Sequence, residues 1–455
     1  MDSPITLIPV LCILIVAIAT KRALFAMFCG LCVAALILCG GITAFPEQVF
    51  GYLYGSVSNE TLQWLVFVIA LFGILIMLLQ RSGAVLEFGY WAARLLKTKR
   101  RVMLGTFVLG IIVFIDDYLN NLAVGTTMKG ISDAQKVPRT QLAYIVNSVA
   151  APVCILLPMS SWAAYFGGLF EENGIVVNGS GLGAYIQSIP FMFYGWLAVI
   201  VVFLQVLGII PKIGPIRRDW KRAEATGDIF PEGMVPAEIE SGSEKPAGDG
   251  NANPVYFLLP IIVMIVVTLI TEIDVLLGVS GGVVCAFVLF LATRKIPFKQ
   301  LLEASFDGII SMGFVLVLSV LAFAVQSANI DLGLAEYVIK TVEPLMDGAL
   351  LPAVAFVVCA AYGYVTGSFW DMAVIVAPIV IPLSIAMDVS PILTGAAVFS
   401  GAAFGSNTCL YGDGVILCAQ ACGIKPLDLM LATLPYALIS GGISTVLFLI
   451  AGFAM

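Results

Sequence analysis

"FIDDYLNNLAVGTT", residues 114–127, places Asp116, Asp117, Asn120 and Asn121 inside a stretch that is otherwise strongly apolar. The setting makes this costly. Hydrophobic residues make up 60% of the 455 positions and charged residues only 11%, with a mean hydropathy of +1.05, whereas a soluble domain carries about 25% charged residues. The chain therefore reads as an all-α, polytopic membrane protein. A carboxylate at mid-bilayer costs about 2.5–3.5 kcal/mol on insertion scales and normally faces a cavity or a partner, so the segment must be something other than a plain spanning helix.

Apolar runs long enough to cross about 30 Å of hydrocarbon lie near 4–20, 23–43, 63–80, 140–168, 189–210, 255–271, 276–293, 308–327, 390–424 and 429–453. Lys21 and Arg22 follow the first run, whereas a signal peptide would carry its positive charge ahead of the apolar region. The first run is expected to be a retained helix. With both termini outside, alternation puts every basic residue except Lys340 on one side, and the positive-inside rule makes that side cytoplasmic. The expected location is the cytoplasmic (inner) membrane, with a multi-pass topology.

This topology works only if two segments do not cross. Residues 102–134 are too few for two full spans and a turn, and both ends are basic, so a re-entrant hairpin is expected there. A second hairpin is expected at 349–387. "NNLAV" from Asn120 aligns with "WDMAV" from Trp370, and "VPRTQLAYIVNSVAAP" from Val137 with "VSPILTGAAVFSGAAF" from Val389. The expected organisation is two inverted repeats, 1–211 and 255–455, each with about five transmembrane helices, a re-entrant hairpin and a broken helix. Residues 212–254, ending in "EIESGSEKPAGDGNANP", have the composition of a flexible cytoplasmic linker. Residues 82–100 and 329–343 suit the membrane interface or short connections.

Inverted repeats with interrupted helices place substrate and ion near the midplane, where irregular backbone lines a cavity. The interruptions are visible. "SVAAPVCILLPMSSW" (148–162) carries Pro152 and Pro158, and "SGAAFGSNTCLYGDG" (400–414) is rich in glycine; Pro frees backbone carbonyls and Gly eases unwinding. The candidate ion- or substrate-binding residues are Asp116, Asp117, Asn120 and Asn121 at the first tip, Ser148 with Asn147 on the first broken helix, Thr366, Ser368 and Asp371 at the second tip, and Ser406, Asn407, Thr408 and Asp413 on the second broken helix. Carboxylate, amide and hydroxyl oxygens suit a small alkali cation, and sodium through Asn121, Asp371, Asn407 and Asp413 is the expected set. The bland alternative for Asp116 or Asp117 is a helix cap. Ser160, Trp162, Trp370 and Tyr411 are candidates for the cavity wall. Asn121 and Asp371 occupy matching places in the alignment, so the two tips are expected to contribute different charges to one site.

The chain contains no histidine. A protonation step at physiological pH must then use a carboxylate, and the adjacent Asp116 and Asp117 are the candidates. The ten cysteines are scattered through apolar helices and read as small core residues rather than metal or disulfide ligands. No cofactor is expected beyond sodium as coupling ion, and no nucleic-acid partner.

"FIDDYLNNLAVGTTMKGISD", "AYIVNSVAAPVCILLPMSSW" and "GAAFGSNTCLYGDGVIL…LPYAL" resemble the NhaC-type sodium/proton antiporter family, within the ion transporter superfamily that also holds dicarboxylate carriers. The resemblance covers about residues 65–435. It implies sodium/proton antiport, with relatives that carry organic acids and amino acids, a homodimer with scaffold and transport regions, and elevator-like movement. Relatives usually carry an Asp-His or Ser-His pair in the second broken helix followed by a Ser-Asp-Thr-like run. Here those positions read Ser406-Asn407 and Gly412-Asp413-Gly414, which replaces the imidazole by a carboxamide and leaves room for sodium- or proton-coupled transport of a small amino acid or carboxylate. An intramembrane aspartyl protease, suggested only by "YGDG" at 411–414, lacks its companion motif, and a channel would need a continuous pore lining. The expected protein is a sodium-coupled secondary transporter and not an enzyme.

Overall fold

The computed structural model describes residues 4–20, 22–39, 44–93, 96–232, 234, 253–271, 274–342, 346–367, 369–410 and 412–455. Among these no strand occurs, and the chain is a bundle of helices whose order is nearly the same in its two halves. The first half runs α1 (Ile8–Thr20), α2 (Ala23–Leu38), α3 (Phe45–Val57), α4 (Glu60–Arg81), α5 (Ala84–Ala93), α6 (Lys99–Ile112), α7 (Asp117–Ala134), α8 (Arg139–Leu156), α9 (Ser161–Glu172), α10 (Gly181–Ser188) and α11 (Phe193–Leu207). After α12 (Gly214–Thr226) come α13 (Val255–Ile270), α14 (Val275–Ala292), α15 (Phe298–Ser311), α16 (Gly313–Leu332), α17 (Leu334–Val342), α18 (Leu351–Thr366), α19 (Trp370–Ala386), α20 (Pro391–Thr408), α21 (Asp413–Cys422) and α22 (Pro426–Ala454).

By length and composition, five helices among the described residues can cross a membrane on their own: Glu60–Arg81, Val275–Ala292, Gly313–Leu332, Gly348–Thr366 and Pro426–Ala454. Two bent pairs raise this to seven: Arg139–Leu156 with Ser161–Glu172 (44°), and Gly181–Phe191 with Phe193–Leu207 (49°). This is fewer than the ten apolar runs in the sequence. Several runs are cut into short helices; the run 390–424 divides into α20 of 18 residues and α21 of 10. Conversely, Gly348–Thr366, expected as one arm of a hairpin, has 19 residues and the apolarity of a full span.

Small residues set the closest helix crossings, as expected where lipid removes the hydrophobic drive between helices and packing must supply it. A Cβ on Gly73 of α4 would sit 2.3 Å from the Gly308 carbonyl oxygen of α15, and one on Gly405 of α20 would sit 2.6 Å from the Gly363 Cα of α18. At the basic ends of the helices, Arg81 pairs with Asp307 and Lys295 with Glu87, joining the two halves.

The segment expected to be a linker begins as ordered structure. Helix α12 buries Ile216, Asp219, Trp220 and Ala223. Asp219 accepts from Thr140 Oγ1 at 2.9 Å and from Arg222 at 3.0 Å, and the Trp220 indole N–H donates to Gln141 at 3.1 Å. Spaced buried residues on an otherwise basic helix are an amphipathic pattern, which its charge-rich composition masks. Residues 235–252 lie outside the described residues.

Candidate functional site

The first hairpin turns at 113–116, between α6 and α7. Asp116 is the N-cap of α7: one carboxylate oxygen accepts from the backbone N–H groups of Tyr118 (2.9 Å) and Leu119 (3.2 Å), the other from the Ser161 hydroxyl (2.8 Å). This satisfies helix donors that would otherwise be orphaned. Asn120 closes the turn from the other side, its amide donating to the carbonyls of Gly110 (2.6 Å) and Val113 (2.9 Å) where α6 ends.

The tip rests on the break between α8 and α9. The Ser161 N–H donates to the Ile115 carbonyl at 2.9 Å, and the Cys154 thiol to the Phe114 carbonyl at 3.2 Å. Pro158 lies in this break, whereas Pro152 is accommodated inside α8. Ser160 caps α9, accepting from the Ala163 N–H at 3.0 Å while donating to the Cys154 carbonyl at 2.6 Å. Its hydroxyl is thus committed to the backbone.

Asp117 has a different environment. Its Oδ1 accepts from the Trp162 indole N–H at 2.9 Å, and its Oδ2 is buried with no hydrogen-bond partner among the described residues. That oxygen points toward the start of α21. A Cβ on Gly414 would lie 3.4 Å from Ser406 Oγ, 3.5 Å from Asn121 Nδ2 and 3.6 Å from Asp117 Oδ2. Three polar side chains, two from the first hairpin and one from the second broken helix, thus converge on a glycine whose missing side chain leaves the space between them open. Asn121 Oδ1 and Asn120 Oδ1 are likewise buried without partners. Helix α7 lies hard against α21, because a Cβ on Gly125 would come within 2.7 Å of the Ala421 Cβ.

The other sequence candidates are distributed around this cradle. Asn407, at the end of α20, accepts on its backbone carbonyl from Asn147 Nδ2 (2.9 Å) and donates its own amide to the Tyr194 hydroxyl (3.2 Å), while its Oδ1 is buried and unpartnered. The hydroxyls of Thr408 and Thr366 bond back to their own helices, at the carbonyls of Phe404 (2.7 Å) and Tyr362 (2.9 Å). Asp413 stands in the first turn of α21 and is exposed. Ser148 does not face the cradle; it lines a separate small cavity with Tyr144, Tyr194 and Tyr436. Ser368 and Tyr411 lie outside the described residues, as does the side chain of Asp371. The expected four-residue sodium set is therefore represented by Asn121, Asn407 and Asp413 alone.

Aromatic rings cover the first tip. Trp162, bound to Asp117, stacks on Phe369 of the second tip (centroids 4.9 Å apart, 13° between planes) and lies 5.0 Å from Trp370. Tyr165 meets Trp370 edge-on at 4.8 Å. Sequence reasoning named both tryptophans but not the Trp162–Asp117 bond, nor Gly414 as the opening, nor the tyrosine hydroxyls beside Asn407. The glycines flanking Asp413 were the available signal for the opening.

Chemically, the cradle offers the free carboxylate oxygen of Asp117, the Ser406 hydroxyl and the Asn121 amide, whose nitrogen is the atom nearest Gly414, a set without sulfur or imidazole. Among the described residues no group of three or more His, Cys, Asp or Glu could hold a metal ion, so any cation here would be met mainly by neutral oxygens.

The chain is 26% identical over 480 residues to an uncharacterized protein of Haemophilus influenzae, covering 98% of this chain and 91% of that one. Its fold resembles that of the YdaH transporter of Alcanivorax borkumensis (TM-score 0.64, 14% identity, 89% of this chain and 88% of that chain). It also resembles that of MtrF of Neisseria gonorrhoeae, described as illuminating a class of antimetabolite efflux pumps (TM-score 0.54, 14% identity, 90% and 84%). Residues 153–453, which include both halves of the cradle's second broken helix, match the Na+/H+ antiporter family, and the chain, a multi-pass membrane transporter, belongs to that family.

Proposed function

We propose that this protein is a sodium-coupled secondary transporter that exchanges sodium for protons across the cytoplasmic membrane. The observation that carries the reading is the cradle at Gly414, where the free Oδ2 of Asp117 and the Asn121 side chain, both on α7, meet Ser406 of the opposite half of the chain. Sodium is the cargo, and hard neutral oxygens around one carboxylate are the ligand chemistry it takes. Asp117 serves both as sodium ligand and as proton carrier, since with no imidazole in the chain a carboxylate has to take the proton. Sodium and proton then compete for one oxygen, which is the simplest basis for exchange.

The repeated helix order supports reading the two halves as inverted repeats, with the hairpins and broken helices as the moving unit of an elevator and α1–α4 and α13–α16 as scaffold, in a homodimer. Asp371 is assigned to sodium from the alignment of the halves, and Asp413 from its place in the glycine-rich segment of the second broken helix.

A second reading, transport of a small organic acid or amino acid, is favoured by the rings of Trp162, Phe369 and Trp370 beside the cradle and by the antimetabolite efflux named for MtrF. Proteoliposomes with an imposed sodium gradient distinguish the two. Antiport predicts that a sodium pulse changes internal pH without any added solute. Sodium-driven uptake of labelled amino or carboxylic acids with no pH response selects the second reading, and no response of either kind overturns the sodium coupling.

A further inference from the structure

Between α8, α11 and α22 lies a small chamber that leaves about 10 Å³ for the centre of a water-sized molecule. That is close to the minimum for one water and far below the size of an organic ligand. Its walls include the hydroxyl-bearing residues Tyr144, Ser148, Tyr194, Tyr436 and Ser440. Tyr144 and Ser148 are both buried, and neither Tyr144 OH nor Ser148 Oγ has a hydrogen-bond partner among the described residues. Leaving two such groups dry is unfavourable, because each gives up its hydration with no hydrogen bond in return. A bound water needs two to four polar partners, and these two with Tyr194 supply three.

The chamber also lies between two polar connections. On one side Tyr194 OH accepts from Asn407 Nδ2 at 3.2 Å. On the other, the Tyr436 ring lies 4.5 Å from that of Tyr144, and the Tyr436 hydroxyl donates to the Pro211 carbonyl (3.2 Å) and accepts from the Ile213 N–H (2.8 Å). Residues 211–213 begin the basic segment that leads into α12.

We propose that the chamber binds one water molecule through the hydroxyls of Tyr144, Ser148 and Tyr194, extending the hydrogen bond that Tyr194 accepts from Asn407. This set of hydrogen bonds contains neutral groups only, so it conveys hydration and hydrogen-bond order without placing a further charge in the membrane. This assigns Ser148 to water binding rather than to the cradle, and it does not depend on which cargo the protein carries.

X-ray radiolytic footprinting of the full chain in lipid nanodiscs tests it, because a bound water irradiated in place hydroxylates the rings it touches. Tyr185 is the control: it is as deeply buried, and its hydroxyl is committed to the Ile155 carbonyl at 2.7 Å. Tyr144 and Tyr194 are expected to be modified several-fold faster than Tyr185, and Ser148→Val, which fills the chamber, should bring both down to the Tyr185 rate. Equal rates for all three tyrosines in the unaltered protein overturn the proposal, as do fast rates that Ser148→Val leaves unchanged. If Ser148→Val does not fold, Tyr144→Phe serves instead: it removes one of the three water ligands, and the proposal requires slower labelling of Tyr194.

Discussion

The two hairpin tips occupy the same place in the helix order and are built by different means. The first is polar and stitched: Asp116 caps α7, Asn120 closes off α6, and the Ile115 and Phe114 carbonyls are taken up by the neighbouring break. The second ends α18 on Gly367 in the left-handed conformation (φ 73°), a conformation that glycine adopts without strain, and continues into Phe369 and Trp370, which pack on Trp162. The first tip holds buried carboxylates in a frame of hydrogen bonds, whereas at the second the aromatic rings of Phe369 and Trp370 close over Trp162.

The sharpest way to break this contrast is to remove the one free charged oxygen. Asp117→Asn keeps the shape and should abolish the sodium-dependent pH change, which needs the Asp117 proton, and weaken sodium protection against thermal unfolding about 10- to 100-fold, the loss of one interaction to a charged group. An unchanged sodium response in both measurements would remove Asp117 from the site.

Next in size is the seam between the halves. Gly125→Ala should destabilise the protein by about 1–3 kcal/mol, because its methyl group would overpack against Ala421. Gly130→Ala on the same helix meets nothing within 4 Å and should be neutral or stabilising by up to about 1 kcal/mol, as expected for replacing a helical glycine. Unfolding midpoints of the pair in mild detergent check the difference, and equal shifts would mean that α7 and α21 are not tightly packed.

The division of labour between the two adjacent carboxylates gives a smaller effect. Asp116→Ala should cost about 1–2 kcal/mol in stability, the size of a lost N-cap, while sodium dependence keeps its midpoint. A shifted sodium midpoint with unchanged stability would exchange the roles assigned to Asp116 and Asp117.

The smallest effect is expected where the tips meet. Trp162→Phe preserves the ring against Phe369 but deletes the indole N–H that holds Asp117 Oδ1. Sodium affinity should fall about threefold to tenfold, as for one hydrogen bond of about 1 kcal/mol. The pH dependence of transport should move with it; a pH profile identical to that of the unaltered protein would show that the indole only packs.

Much of the architecture is legible in composition and punctuation. A chain this apolar with so few charges has to lie in a membrane, and Asp116, Asp117, Asn120 and Asn121 cannot sit in a plain lipid-facing span. The break at 157–160 contains Pro158, a helix-interrupting residue, but sequence does not distinguish it from Pro152, which α8 accommodates. Helix α12 was harder to see, because its buried Trp220 and Asp219 are embedded in a basic, polar run whose partners, Thr140 and Gln141, are far away in sequence.

Sequence by itself therefore determined the medium, the helical class and the polar stretches from which a site had to be drawn, since each depends on hydrophobicity and local backbone rules that act within a few turns. Only the tertiary structure decided that Asp116 is a cap while Asp117 keeps a free oxygen, that Gly414 is the opening between Asn121 and Ser406, and that Ser148 belongs with the tyrosines of a neighbouring chamber. Two adjacent aspartates are identical as letters. They differ in which donors, 45 residues away at Ser161 and Trp162, the folded chain brings to each.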